Sequence, residues 1–274
     1  QQYKEDWEEW PAQKGAPFYD SNNDGIYSPK FTTDKSGYEV PALFPDADEP
    51  GIANADQVIW FVYNDLKETS DWSSPPVGLE FQTTLWGYNR NDGLGNAIFK
   101  KTTIIYKGTA TTATDAQLKD MYIAQWSDID IGRSTDDIAG CDSTLGLGYV
   151  YNQTSLDVEY QKFSLSPPAI GCDIVQGPIV KGNANDSAIF GMRYRKGYKN
   201  ISPTSFVYFG SGSAATPPSY GTNGATQWYN TLRGFFRDGP SRIDPVTNKS
   251  SVFWASGDPF TGAGWIDGTQ STYN

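Results

Sequence analysis

The sequence contains no histidine. That absence removes the Ser-His-Asp and Cys-His routes to an activated nucleophile, His-ligated zinc and an axial haem histidine. Cysteine is scarce, with Cys141 and Cys172 only. They allow at most one disulfide; in an exported protein their pairing is the expectation, with two buried free thiols as the alternative. Methionine occurs only at Met121 and Met192, and the chain begins with Gln1. Removal of a signal peptide would account for that start. No apolar run approaches the roughly 18 residues of a membrane span, so no membrane insertion is expected. Basic residues are few: 21 Lys and Arg against 32 Asp and Glu give a net charge of −11. With no basic patch in view, nucleic acid and anionic membranes are poor partners.

What the chain does have is aspartate and aromatic rings. Of the 32 acids 24 are Asp, many beside Gly, Asn or Ser, and aromatic residues make up 15% of the 274 residues. Aspartate in that company belongs to turns and to hard-cation loops rather than to helix faces. The length suffices for a buried core. Strand signals recur along it. Gln57 to Tyr63 (QVIWFVY) is apolar throughout and expected to be buried on both faces. Leu79 to Trp86 alternates, and Ala97 to Tyr106, Leu145 to Tyr151, Ile174 to Val180, Ser187 to Tyr194, Ser205 to Phe209 and Ser251 to Trp254 follow. One helix is expected, over 226–236, where Trp228, Leu232, Phe235 and Phe236 share a face before Asp238-Gly239-Pro240. Many short strands between turns predict an all-β fold, a large antiparallel β-sandwich of residues 11–274 with long loops. Residues 1–10 precede it as an arm or first edge strand.

Two aspartate-rich stretches carry the metal-site expectations. In Asp20-Ser-Asn22-Asn-Asp24-Gly25-Ile26 the spacing matches the first half of an EF-hand-type calcium loop. Asp20, Asn22 and Asp24 would give side-chain oxygens, and Ile26 a carbonyl. The twelfth position is Phe31, so Asp34 or an acid from elsewhere must replace the usual bidentate ligand. The second stretch, Asp120 to Asp142, starts as an alternating strand: Met121, Ile123 and Gln125 on one face, Tyr122, Ala124 and Trp126 on the other. A loop with Asp128, Asp130, Asp136 and Asp137 follows, and ordered chain resumes at Cys141-Asp142. Carboxylates this close repel one another unless solvated or gathered on a cation. Ca²⁺ is the cofactor expected at both stretches, and Asx-rich or solvated acidic turns are the alternative.

The order of motifs is itself informative. DSNNDGIY, DQVIWFVYND, PPVGLEFQTTLWGYNR, DMYIAQWSDIDIG, DDIAGCDSTLGLGYVYN, PPAIGCDIVQGP and SGDPFTGAGWIDG succeed one another between Trp10 and Gly268. This succession resembles the N-terminal module of large exported surface proteins of the Bacteroidetes and Ignavibacteria kind. In that group further β domains and a type IX secretion sorting domain follow. The resemblance implies export and an extracellular or cell-surface place more than an activity. It places an aromatic residue where this chain has Cys172, so a 141–172 disulfide would be peculiar to this chain. Asp142-Ser143-Thr144 and Asp186-Ser187-Ala188 are similar to the O-glycosylation motif of such proteins, which makes Ser143, Thr144 and Ser187 candidate sugar carriers.

Three functions fit these features. The leading expectation is a calcium-stabilised structural or adhesive surface or matrix protein, self-assembling or bound to other surface proteins. Trp7, Trp10, Trp265 and Tyr273 would then dock on a neighbour, unless they cover their own domain. The second is a carbohydrate-binding module that stacks sugars on Trp72, Trp86, Tyr88, Trp228 and Tyr229. An enzyme is not expected. A glycosidase needs two carboxylates, one of raised pKa; Glu80 and Glu159 are conceivable members, with nothing in the sequence to pair them.

Overall fold

The computed structural model describes residues 2–52, 54–67, 72, 74–191, 193–210 and 215–267; Met192 and Tyr273 lie outside them. Strands account for 31% of the structure and helices for 12%, so the fold is all-β. The sheets are small, of two or three strands each, and a two-sheet sandwich is not established by them. Where the sequence predicts one domain over 11–274, contacts gather the chain into two compact units. One comprises 1–69 with 75–117, the other 70–74 with 118–274.

The first unit opens with helix α1 (Gln2–Glu8) rather than an edge strand. Strands β1 (Phe18–Tyr19), β2 (Phe31–Thr33), β3 (Glu39–Pro41) and β4 (Glu49–Pro50) form two small pairs, β1 with β4 and β2 with β3. Then β5 (Gln57–Asn64), β6 (Leu79–Gly87) and β7 (Ile98–Tyr106) make an antiparallel meander with β6 in the middle. The Asp65 carboxylate shapes the β5–β6 connection by accepting the N–H groups of Val77, Gly78 and Leu79. One face of the meander meets the N-terminal segment: Gln82 donates to the Lys14 carbonyl (2.9 Å), and Val58 packs on Gly51. On the other face Ile59, Phe61 and Tyr63 remain 41–48% exposed. The expectation that β5 is buried on both faces is thus corrected. Apolar composition marks a strand, but β5 is an outer strand with one face open.

In the second unit β8 (Asp137–Asp142), β9 (Leu147–Asn152), helix α2 (Val158–Gln161) and β10 (Ala169–Asp173) come first. They are followed by β11 (Ile179–Lys181), β12 (Ser187–Phe190), β13 (Arg193–Lys196) and β14 (Tyr198–Asn200). Helix α3 (Gly224–Leu232), β15 (Arg242–Asp244) and β16 (Lys249–Ser251) complete the order. The three-stranded sheet runs β10-β9-β8; β11 pairs with β14, β12 with β13 and β15 with β16. Residues 121–131 form no strand. The alternation there has no partner to ladder with, and β8 begins at Asp137, inside the expected loop. The α3 helix stops short of 236 because Gly234 takes φ +84 and Phe235 then bridges Ser241.

The core of this unit is aromatic. Tyr208, Ala215, Trp254, Ala255 and Trp265 are buried together, with Phe206 and Phe236 packed against them. The Arg242 guanidinium lies 4.7–5.2 Å from the ring centres of Trp265, Trp254 and Tyr208. A delocalised, weakly hydrated cation is the charge such rings accept best. Trp265 is therefore core, not an exposed docking residue.

Strand order also decides the cysteines. Cys141 of β8 and Cys172 of β10 both pair with Gly148 of β9. Two strand spacings, about 9.5 Å, separate them, beyond the roughly 7 Å that a disulfide spans. The Phe206 ring fills the space over Gly148. Both thiols are free, Cys141 buried and Cys172 partly so, which corrects the expected 141–172 disulfide. Burial pushes the Cys141 thiol up to about 12, so it is inert as a nucleophile. Titration of the unreduced chain with a thiol reagent should count two thiols after unfolding. In the native protein Cys172 should react far faster than Cys141. A count of zero would contradict the strand order.

Candidate functional site

Loop 20–26 closes on its own amides. Asp20 accepts the N–H groups of Asp24 (3.1 Å) and Gly25 (2.7 Å), and Asp24 accepts that of Ile26 (2.7 Å). Asn22 accepts from Asp24 and donates to its carboxylate. Asn23 and Gly25 take positive φ, which turns the loop tightly. The Asp20, Asn22 and Asp24 side chains are brought together as expected, but Asn22 and Asp24 are exposed, Asp20 is half-buried, and all three are already partnered. Asp34 does not join them; it accepts the N–H groups of Ser36 and Tyr38 in the β2–β3 turn.

The acid that reaches this loop from elsewhere is Asp48, which sequence reasoning missed. It is almost wholly buried and accepts the Ser21 N–H (2.8 Å), the Ser21 hydroxyl (2.7 Å) and the Ser28 N–H (2.8 Å). It thereby clamps the loop at both ends. Burial alone would raise its pKa, but the Ser21 and Ser28 donors, with Lys30 nearby, outweigh that and hold the carboxyl below the usual range. The only signal in the sequence is its place in Asp46-Ala47-Asp48, which does not tell it from other turn acids.

The second acidic stretch divides. Asp142 caps its own turn, accepting the N–H groups of Thr144 and Leu145. Asp128 is exposed in the unpaired segment. Asp130, Asp136 and Asp137 do gather, and Asp157, another acid missed from sequence, joins them. Asp157 is buried and fully engaged: it accepts the N–H groups of Arg133 (2.9 Å), Glu159 (2.9 Å) and Tyr160 (3.0 Å), capping α2. Burial opposes its ionisation, yet those backbone donors hold its pKa below the usual value. Asp137 differs. One oxygen accepts the Ile131 N–H (2.8 Å), while the other is buried without a partner, as is Oδ1 of Asp136. Burial, then the charges of Asp136, Asp130 and Asp157, push the Asp137 carboxyl up. Among the described residues no three acidic or thiol side chains close a metal cage by themselves.

The aromatic candidates also divide. Trp72 and Trp228 meet edge to face at 6.0 Å, and Trp72 stacks on Tyr220 at 6.4 Å. Trp126 and Phe209 contact Trp228 as well, and Tyr122 meets Tyr229. In this cluster around α3, Trp126 is 65% and Tyr220 78% exposed. Trp86 and Tyr88 lie in the first unit, both against Phe99. They line an open cavity of about 390 Å³ with Asp56, Ile59 and Ile98. Trp7 and Trp10 serve their own unit: the Trp7 carbonyl accepts the Tyr27 hydroxyl, and Trp10 donates to the Pro17 carbonyl.

Of the glycosidase candidates, Glu80 lacks the raised pKa of a general acid. Glu80 pairs with Lys107, and that bond first, then one from Gln82, holds its pKa below the usual value. Glu159 pairs with Lys162 on α2. Ser143, Thr144 and Ser187 are exposed. Comparison with family models, with curated proteins and with solved structures finds no match.

Asp48→Ala should lower stability by about 2–4 kcal/mol, since it strands the amide donors of Ser21 and Ser28. Urea unfolding at neutral pH measures it. Because the folded pKa of Asp48 is depressed, its contribution is present above the unfolded aspartate value of about 3.9 and is lost as pH falls through the folded one. The gap between wild type and variant should therefore narrow in acid.

Proposed function

We propose that this chain is a calcium-stabilised structural or adhesive module of an exported cell-surface or matrix protein, and that copies of it associate through the β5-β6-β7 sheet. The observation that carries this reading is the open face of that sheet. Ile59, Phe61 and Tyr63 of β5, Phe81 and Leu85 of β6 and Ile98 and Tyr106 of β7 lie on it by register. Ile98 is 83% exposed. Phe61, Tyr63 and Phe81 form a stacked ladder, with ring centres 5.9 and 4.9 Å apart. Thr83, Lys100 and Thr102 share this face, and the exposed apolar side chains gathered around them are a feature of association surfaces. Among the described residues β5 and β7 pair with no further strand, so their outer edges offer hydrogen bonds to another chain. A net charge of −11 opposes self-association, and bound divalent cations reduce that opposition. No helix among the described residues is long and apolar enough to cross a membrane.

Sedimentation velocity and electron microscopy in millimolar Ca²⁺ test this reading. Wild type should form oligomers or filaments, and a variant with Ile59→Lys and Phe61→Lys should remain monomeric. A wild type that stays monomeric at every concentration defeats it.

The exposed rings of Trp126 and Tyr220 favour a second reading, a polysaccharide-binding surface around α3. Base-free aromatic faces of this kind stack on sugar rings. On that reading Trp126→Ala weakens retention on a polysaccharide affinity gel about tenfold or more, and unchanged retention rejects it.

A further inference from the structure

We infer that the buried oxygens of Asp136, Asp137 and Asn152 form a site for a hard divalent cation, Ca²⁺ before Mg²⁺, which ties the start of β8 to the end of β9. Asp137 and Asn152 are directly opposed in the β8–β9 ladder. Opposed residues leave the same face of a sheet with Cβ atoms about 5 Å apart. Asn152 is 8% exposed. Its amide nitrogen donates to the carbonyls of Thr154 (2.9 Å) and Leu156 (3.4 Å), which fixes the orientation of the carboxamide. Its Oδ1 is buried without a hydrogen-bond partner, and so are the Oδ1 atoms of Asp136 and Asp137.

All three orphans are acceptors. Carboxylates and a carboxamide oxygen can be satisfied only by something that donates or carries positive charge. None of the ion pairs among the described residues reaches them. A proton shared between the two carboxyls would leave the Asn152 oxygen unmet. A water has two protons for three acceptors and does nothing for the charge. A divalent cation meets all three oxygens and offsets the repulsion among Asp130, Asp136 and Asp137 at once. An all-oxygen donor set selects a hard ion. Three protein oxygens completed by several waters suit the variable coordination number of Ca²⁺ better than the strict octahedron of Mg²⁺. Asp130, exposed and near enough for its charge to act on Asp137, adds to the attraction for a cation.

This site deepens the calcium part of the reading above and uses different residues from loop 20–26. The test is calorimetric titration of the chelator-treated full chain with Ca²⁺, with thermal unfolding alongside. Wild type should bind Ca²⁺ and gain several degrees in Tm. Asp137→Asn and, separately, Asp136→Asn should weaken that binding at least tenfold. Both should keep or raise the Tm of the calcium-free protein, because each removes a like charge; a structural role alone would lower it. Asp24→Asn should leave this binding intact. No calcium binding by wild type, or equal binding by the Asp136 and Asp137 variants, overturns the site. Sedimentation of the same samples separates the two claims: association that persists without calcium binding sinks this site alone. Dispersal with binding intact sinks the assembly reading alone.

Discussion

The interaction on which most of this structure depends is an aspartate carboxylate accepting backbone N–H groups. Regular ladders are short here, so many amides fall outside them and must be satisfied in turns. Asp34, Asp48, Asp65, Asp142, Asp157, Asp244 and Asp258 each accept amides in their own or a neighbouring loop. A charged acceptor makes a stronger bond than a neutral one. It also lets a chain with a small apolar core keep long loops in place. Against that pattern the buried, unpartnered oxygens of Asp136 and Asp137 are exceptions, and the buried Asn152 oxygen opposite Asp137 makes the exception chemical rather than incidental.

The aromatic residues serve three ends. Trp254, Trp265, Tyr208 and Phe236 enclose Arg242 and form a core in which a charge is held by ring faces. Trp126, Tyr220 and their neighbours build an exposed cluster on α3. Phe61, Tyr63 and Phe81 line an open sheet face. The latter two are exposed, and the proposed readings give them different partners: a second copy for the sheet, a sugar for the α3 cluster.

Much of the fold was legible where a strong local pattern coincided with a local partner. β5, β6 and β7 form a meander whose strands are consecutive, so the sequence could show them almost to the residue. The alternation at 121–126 was as clear, but no strand lies beside it, and a strand exists only with its neighbour. The helix on α3 was visible, but its end was not: Gly234 outranked Asp238-Gly239-Pro240 because a single positive φ suffices to break the helix. Of the candidate site, the loop 20–26 was legible as a unit because the contacts among Asp20, Asn22 and Asp24 are local. Asp48, Asp157 and Asn152 were not, because each acts 20 or more residues away from its partners or across a ladder.

The sequence alone determined that this chain has no histidine chemistry, no apolar run long enough to span a membrane as a helix, and an all-β fold stitched by turns. Those follow from which side chains are present and how they alternate, which is one-dimensional information. Tertiary structure alone decided that Cys141 and Cys172 stand on either side of Gly148, too far apart to bond. It also decided that Trp265 is core while Trp126 is surface, and that of five neighbouring aspartates Asp130, Asp136 and Asp137 gather while Asp128 and Asp142 stand apart. Distance between side chains depends on strand order and register, and neither is written in the spacing of residues along the chain.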